Sequence, residues 1–184
     1  MKKIIIIALS IILAISTISL GKKVWREYRL KTYPYEYKSL VNEYAKEYNL
    51  NPLFVLSVIK IESNFNPNAL SDANARGLMQ ITVSTGTDIA NSLGMNNFKD
   101  EDLYNPEINI KMGCYYLRNL YNEFGNWDLV IAAYNGGRGN VQKWLKSNEY
   151  SKDGQLINIP FPETKNYVVK VNKAYKNYGE IYDK

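Results

Sequence analysis

The sequence predicts an all-α protein. No stretch sustains the apolar-polar alternation of a half-buried strand, and apolar residues instead recur three and four apart through most of the chain. Several of these segments open on proline and close on glycine, the punctuation of helices. The 184 residues, 46% of them hydrophobic, suffice for one sizeable core and are too apolar for a disordered chain.

The first element follows Lys2 and Lys3: an uncharged run from Ile4 to Leu20, ended by Lys22, Lys23 and Arg26. It fits a short membrane span or a long signal-peptide core. No small-x-small cleavage site precedes Gly21, so an uncleaved anchor is expected, with secretion the outcome if the segment is removed. Residues 1–21 are therefore read as a transmembrane or signal-anchor helix. No cysteine adjoins the run, so lipoprotein-type acylation is excluded. Residues 22–36 mix cations with Trp25, Tyr28, Tyr33 and Tyr35, which suits a juxtamembrane linker among anionic headgroups better than a nucleic-acid surface. No nucleic-acid partner is expected.

Residues 37–184 form the domain. Tyr37, Leu40, Val41, Tyr44, Ala45 and Tyr48 keep helical spacing with charged residues between them. Pro52 suits the first position of a buried helix running to Ile61. A short helix is predicted over residues 84–93, stopped by Gly94. Asn105, Pro106 and Glu107 are cap, first position and first-turn acid of a helix reaching Phe124, with Ile108, Met112, Tyr115 or Tyr116, Leu120 and Phe124 expected inside. Further helices are predicted from Trp127 to Tyr134, from about Asn140 to Lys146, and from Pro162 to about Gly179.

Composition narrows the chemistry. The net charge of +5 suits an anionic partner. The absence of histidine removes Ser-His-Asp and Cys-His pairs and the commonest metal ligand. The single cysteine, Cys114, lies in an apolar helical context and reads as a core residue. Hydrolytic chemistry must rest on carboxylates.

One carboxylate stands out. Val55, Val58, Ile59 and Glu62 recur at helical spacing, so an apolar stripe ends on an acid. Desolvation disfavours a charged carboxylate and so favours the protonated form that a general acid needs. A lone Glu at a helix end more often points to water. Here a polar, turn-rich loop follows, from Asn64 to Asn74, and then an apolar G-L-M-Q-I at 77–81.

The set E-S-x-x-N-P from Glu62, then Ser71, then G-L-M-Q resembles the SLT-type lytic transglycosylases, goose-type-lysozyme-like muramidases of bacterial cell walls. A-A-Y-N-G-G at 132–137, I-P-F at 159–161 and E-T-K-N-Y-V at 163–168 extend the resemblance over about residues 37–180. It implies a lysozyme-like helical domain with Glu62 as the catalytic acid. It further implies substrate contacts from Ser71, Met79, Gln80, Tyr134, Asn135 and Tyr167, and support from Ser63, Gly77, Leu78 and Glu163. The Tyr134 hydroxyl is expected to support the acid and Tyr167 to lie near it; Leu78 and Met79 also read as packing residues. Two departures are Thr82-Val83, where the family has Met-Pro, and Arg138, which adds a cation at the cleft edge.

The activity implied is cleavage between N-acetylmuramic acid and N-acetylglucosamine in peptidoglycan, leaving 1,6-anhydromuramic ends. No cofactor and no metal are implied, peptidoglycan strands are the expected partner, and the protein is expected to be a monomer facing the cell wall from the membrane. The alternatives are a hydrolytic muramidase of the same fold, a non-catalytic peptidoglycan-binding module, and a membrane-tethered scaffold in a wall-crossing assembly.

Overall fold

The computed structural model describes residues 2–183; for residues 2–8 and 10–12 it describes the backbone alone. The chain divides into two compact units, one up to Tyr35 and one from Glu36 onwards. The first holds a single helix, α1 (Lys2–Thr32), so the basic aromatic stretch continues the helix of the apolar run as far as Thr32. Leu9, Leu13, Ile15, Ile18, Leu20, Val24, Trp25 and Tyr28 are all exposed on it. Within the expected span from Ile4 to Leu20, the side chains of residues 4–8 and 10–12 lie outside the described ones. Among the described residues no helix is long and apolar enough to cross a membrane.

The basic charge is unevenly shared. Residues 1–35 hold seven lysines and arginines against Glu27 alone, a formal +6, which leaves −1 for residues 36–184. The expected attraction to an anionic partner therefore belongs to the N-terminal unit.

The second unit is helical, as predicted. Its helices are α2 (Lys38–Glu47), α3 (Pro52–Glu62), α4 (Val83–Ser92), α5 (Pro106–Phe124), α6 (Trp127–Gly136), α7 (Arg138–Leu145) and α8 (Pro162–Tyr182), with a 3-10 turn at Asp100–Tyr104. α3 is the central element. Asn51 caps it by accepting from the Leu53 amide, Pro52 starts it, and every residue from Leu53 to Ile59 is buried. A helix apolar all round must be enclosed, and α2 and α8 flank it. Ser57, the polar member of that run, is satisfied within the helix, its hydroxyl donating to the Leu53 carbonyl at 2.6 Å. α6 packs between α5 and α8 and carries five consecutive buried residues, Leu129 to Ala133.

The structure departs from the sequence reading in detail. Two short antiparallel hairpins are present: β1 (Ala75–Arg76) with β2 (Ile81–Thr82), and β3 (Ser151–Lys152) with β4 (Gln155–Leu156). Two-residue strands are too short to show alternation. The second was nonetheless signalled by Asp153-Gly154, both at positive φ, the usual pair for a two-residue hairpin turn. In α5 the face predicted inward is rotated: Ile108, Tyr115, Tyr116 and Phe124 are only half-buried. The enclosed stripe is Asn109, Ile110, Met112, Gly113, Cys114, Leu117 and Leu120. The helix is covered by both α2 and α6, which draws in a broader stripe than one period marks.

Candidate active site

Glu62 is the last residue of α3, where the enclosed helix reaches the surface of the domain. Its carboxyl lines an open cleft of ≈ 440 Å³ together with Ser71, Asp72, Gln80, Thr82, Tyr134, Asn135 and Glu163. Two forces act on it in opposite directions. Burial disfavours the charged form and dominates, and the nearby Glu163 carboxylate pushes the same way. The Tyr167 hydroxyl donates to Glu62 Oε1 at 2.5 Å and favours the charged form. The balance raises the Glu62 pKa to about 7. An acid so poised can give and take a proton near neutrality.

The remaining predicted residues divide into wall and scaffold. Tyr167, buried on α8, is the one that touches the acid. The Tyr134 hydroxyl, expected to support the acid, donates to the Met79 carbonyl at 2.7 Å. Met79 departs further. Its side chain is fully buried and so close to α5 that a Cβ at Gly113 would lie 2.2 Å from its sulfur. It packs in the core, and no face of it is left for a saccharide. Leu78 is equally buried, and its carbonyl accepts from the Ser63 hydroxyl at 2.7 Å, tying the residue after the acid to the G-L-M-Q segment.

Gln80 stands at φ 48, an uncommon conformation for a non-glycine residue, held there by its amide nitrogen donating to the Ala69 and Gly77 carbonyls. Its remaining carbonyl oxygen is an acceptor on a cleft residue. Ser71 closes the loop by accepting from the Ala75 amide at 3.1 Å. Asn135 Oδ1 accepts from the buried Thr164 hydroxyl at 2.7 Å, so α6 and α8 are joined at the cleft wall. Gly77 stands at φ +76, and a Cβ there would lie 2.1 Å from the Leu103 carbonyl oxygen. Both the conformation and the contact require glycine. Arg138 is ion-paired with Glu123 and lines a second depression, with Tyr116.

Asn109 was missed by sequence reasoning. It is wholly buried on α5, donates to the Arg76 and Leu103 carbonyls, and accepts from the Met79 amide. The available signal was an amide between two isoleucines inside an apolar helix, where a buried polar group must be serving partners.

A helical, lysozyme-like domain that presents one part-buried acid in a polar cleft is the class of protein these features define. Residues 39–157 match the Transglycosylase SLT domain, and the chain belongs to that family. It is 36% identical over 166 residues to a putative soluble lytic murein transglycosylase of Haemophilus influenzae, covering 89% of this chain and 28% of that protein. It is 34% identical over 169 residues to membrane-bound lytic murein transglycosylase C of Actinobacillus pleuropneumoniae, covering 79% and 46%. The crystal structure of the 70-kDa soluble lytic transglycosylase of Escherichia coli superposes with a TM-score of 0.75 at 29% identity, over 88% of this chain and 27% of that one. The chain thus spans between about a quarter and a half of the relatives it matches.

Proposed function

We propose that this protein is a lytic transglycosylase acting on peptidoglycan, with Glu62 as its single acid and base. The observation that carries the reading is a carboxyl poised near pH 7 by burial and by the Tyr167 hydroxyl, in a cleft of hydroxyl and amide groups. Glu62 protonates the glycosidic oxygen as its bond to C1 of N-acetylmuramic acid breaks. The resulting carboxylate then takes the proton of the muramic 6-hydroxyl, whose oxygen bonds to C1. The products are a free N-acetylglucosamine hydroxyl and a 1,6-anhydro end. No water is consumed, and Glu62 ends as it began. Gln80, Asn135 and Ser71 offer neutral polar groups of the kind that hold acetamido and hydroxyl substituents, and Tyr134, Ser63, Gly77 and Leu78 shape the wall behind them. Glu163 tunes the acid by its charge.

The same reading places residues 1–21 as a membrane anchor, residues 22–36 as a headgroup-level segment, and residues 37–184 as a monomeric catalytic domain on the wall side. The formal +6 of the N-terminal unit, with Trp25 and Tyr28 exposed on it, supports attachment to an anionic membrane surface.

A hydrolytic muramidase is the second reading, since Asp72 and Glu163 line the same cleft as Glu62. Two-carboxylate glycosidases deliver water and leave reducing ends. Mass analysis of the muropeptides released from purified wall decides between them. Anhydro products, one water lighter, are expected; predominantly reducing ends would overturn the proposal.

A further inference from the structure

The G-L-M-Q segment contributes to the cleft through Gln80, yet its backbone is held from behind by α5. Asn109 is the centre of that hold. One side chain makes three hydrogen bonds: its Nδ2 donates to the Arg76 carbonyl at 2.9 Å and the Leu103 carbonyl at 2.7 Å, and its Oδ1 accepts from the Met79 amide at 2.7 Å. One turn on, Gly113 leaves the space that the Met79 side chain fills. Gly77 leaves the space for the amide itself, since a Cβ there would lie 2.5 Å from Asn109 Nδ2.

The peptide groups so fixed are the ones that meet the site. The Met79 carbonyl receives the Tyr134 hydroxyl, and the Leu78 carbonyl receives the hydroxyl of Ser63, the neighbour of Glu62. A polar side chain with every bond satisfied specifies one arrangement, whereas a group left half-satisfied at this depth does not.

We infer that Asn109 is a positioning residue for the reaction, acting through Met79 on Tyr134 and through the same segment on Glu62 and Gln80. It touches neither substrate nor acid. The inference rests on the assignment of Glu62 above. It says that the register of the cleft wall against the acid is set by an amide on α5, a helix that contributes no residue to the cleft lining named above.

The test uses the full chain in detergent and compares wild type, Asn109→Asp, Gly113→Ala and Val41→Ala. Asn109→Asp keeps the acceptor for the Met79 amide and loses both donations. Gly113→Ala displaces Met79 from the same helix by a different route. Val41→Ala removes core packing on α2, a helix that supplies none of the hydrogen bonds holding the segment. Folded fraction is measured by circular dichroism, and kcat and KM on soluble glycan strands are expressed per folded molecule. For Asn109→Asp and Gly113→Ala, kcat is expected to fall about 10- to 100-fold, the effect of displacing a group by about 1 Å, with KM moving less. Val41→Ala is expected to lower the melting temperature and leave kcat per folded molecule unchanged. Wild-type kcat in Asn109→Asp and Gly113→Ala, with only their melting temperatures lowered, would make the amide merely structural and overturn the inference. An equal loss in Val41→Ala would also overturn it, as general loosening. Inactivity of the wild type itself would instead strike at the assigned activity.

Discussion

The Tyr167 hydroxyl on α8 donates to Oε1 of Glu62 at the end of α3, a 2.5 Å contact between residues 105 positions apart. The two helices also share the most extensive helix–helix packing in the domain. The hydrogen bond therefore joins elements whose spacing is already set by core contacts, and the acid is held by packing as much as by polarity.

Glu62→Gln preserves size and hydrogen bonding but cannot cycle a proton. It is expected to abolish release of muropeptides while the protein folds and still sediments with insoluble peptidoglycan. Lysis by the variant at close to the wild-type rate would remove Glu62 from its role.

The same substitution tests the cost of the buried charge. In the folded protein the Glu62 pKa stands at about 7, against 4.5 for an unperturbed Glu. Folding thus favours the protonated form, whose stabilising share is complete below pH 4.5 and is lost as pH rises through 7. The difference corresponds to about 3 kcal/mol. Glu62→Gln should match the wild type in denaturant unfolding at pH 4 and exceed it increasingly up to pH 8. A constant offset across that range would contradict the shift.

Removing the Tyr167 hydroxyl takes a hydrogen bond from the acid. Tyr167→Phe deprives the carboxylate of its donor, so the Glu62 pKa rises further. A hydrogen bond to a charged group contributes about 1.5 to 3 kcal/mol, so the alkaline limb of activity should move up by about one to two pH units. A limb that stays in place would show that the contact does not bear on protonation.

Glu163 acts with the opposite sign. Its charge raises the Glu62 pKa, so Glu163→Gln should shift the alkaline limb downwards and leave measurable activity. Asp72→Asn, in the loop past the acid, should also stay active. Either variant as inert as Glu62→Gln, with reducing-end products from the wild type, would establish the two-carboxylate hydrolase.

At the amino terminus, the protein is expected to partition with membranes and to resist alkaline carbonate extraction. Recovery as a soluble protein beginning after about residue 20 would refute the anchor.

Helix order and most helix limits were legible in the chain, because Pro52, Gly94 and Asn105-Pro106 each mark a helix end by chemistry that acts over a few residues. Glu62 was legible for the same reason, as the acid closing an apolar stripe. What stayed hidden depends on contacts distant in sequence. Nothing near Met79 tells that Gly113 takes its side chain, and nothing near Tyr134 tells that its hydroxyl meets a carbonyl 55 residues away. The rotation of α5 was hidden likewise, since neighbours on two sides decide which face is inside.

The enclosure of α3 has a consequence for how this protein can vary. The acid proposed for the reaction sits at the tip of the helix that forms the middle of the core, so its tuning and the packing are inherited together. A change such as Ile59→Val, three residues before the acid, touches no part of the cleft lining. It would nonetheless alter how far Glu62 projects and how dry its surroundings are. Drift in such positions should therefore surface as a displaced pH optimum before it surfaces as lost stability, and related chains with differing α3 interiors should work best at differing acidity.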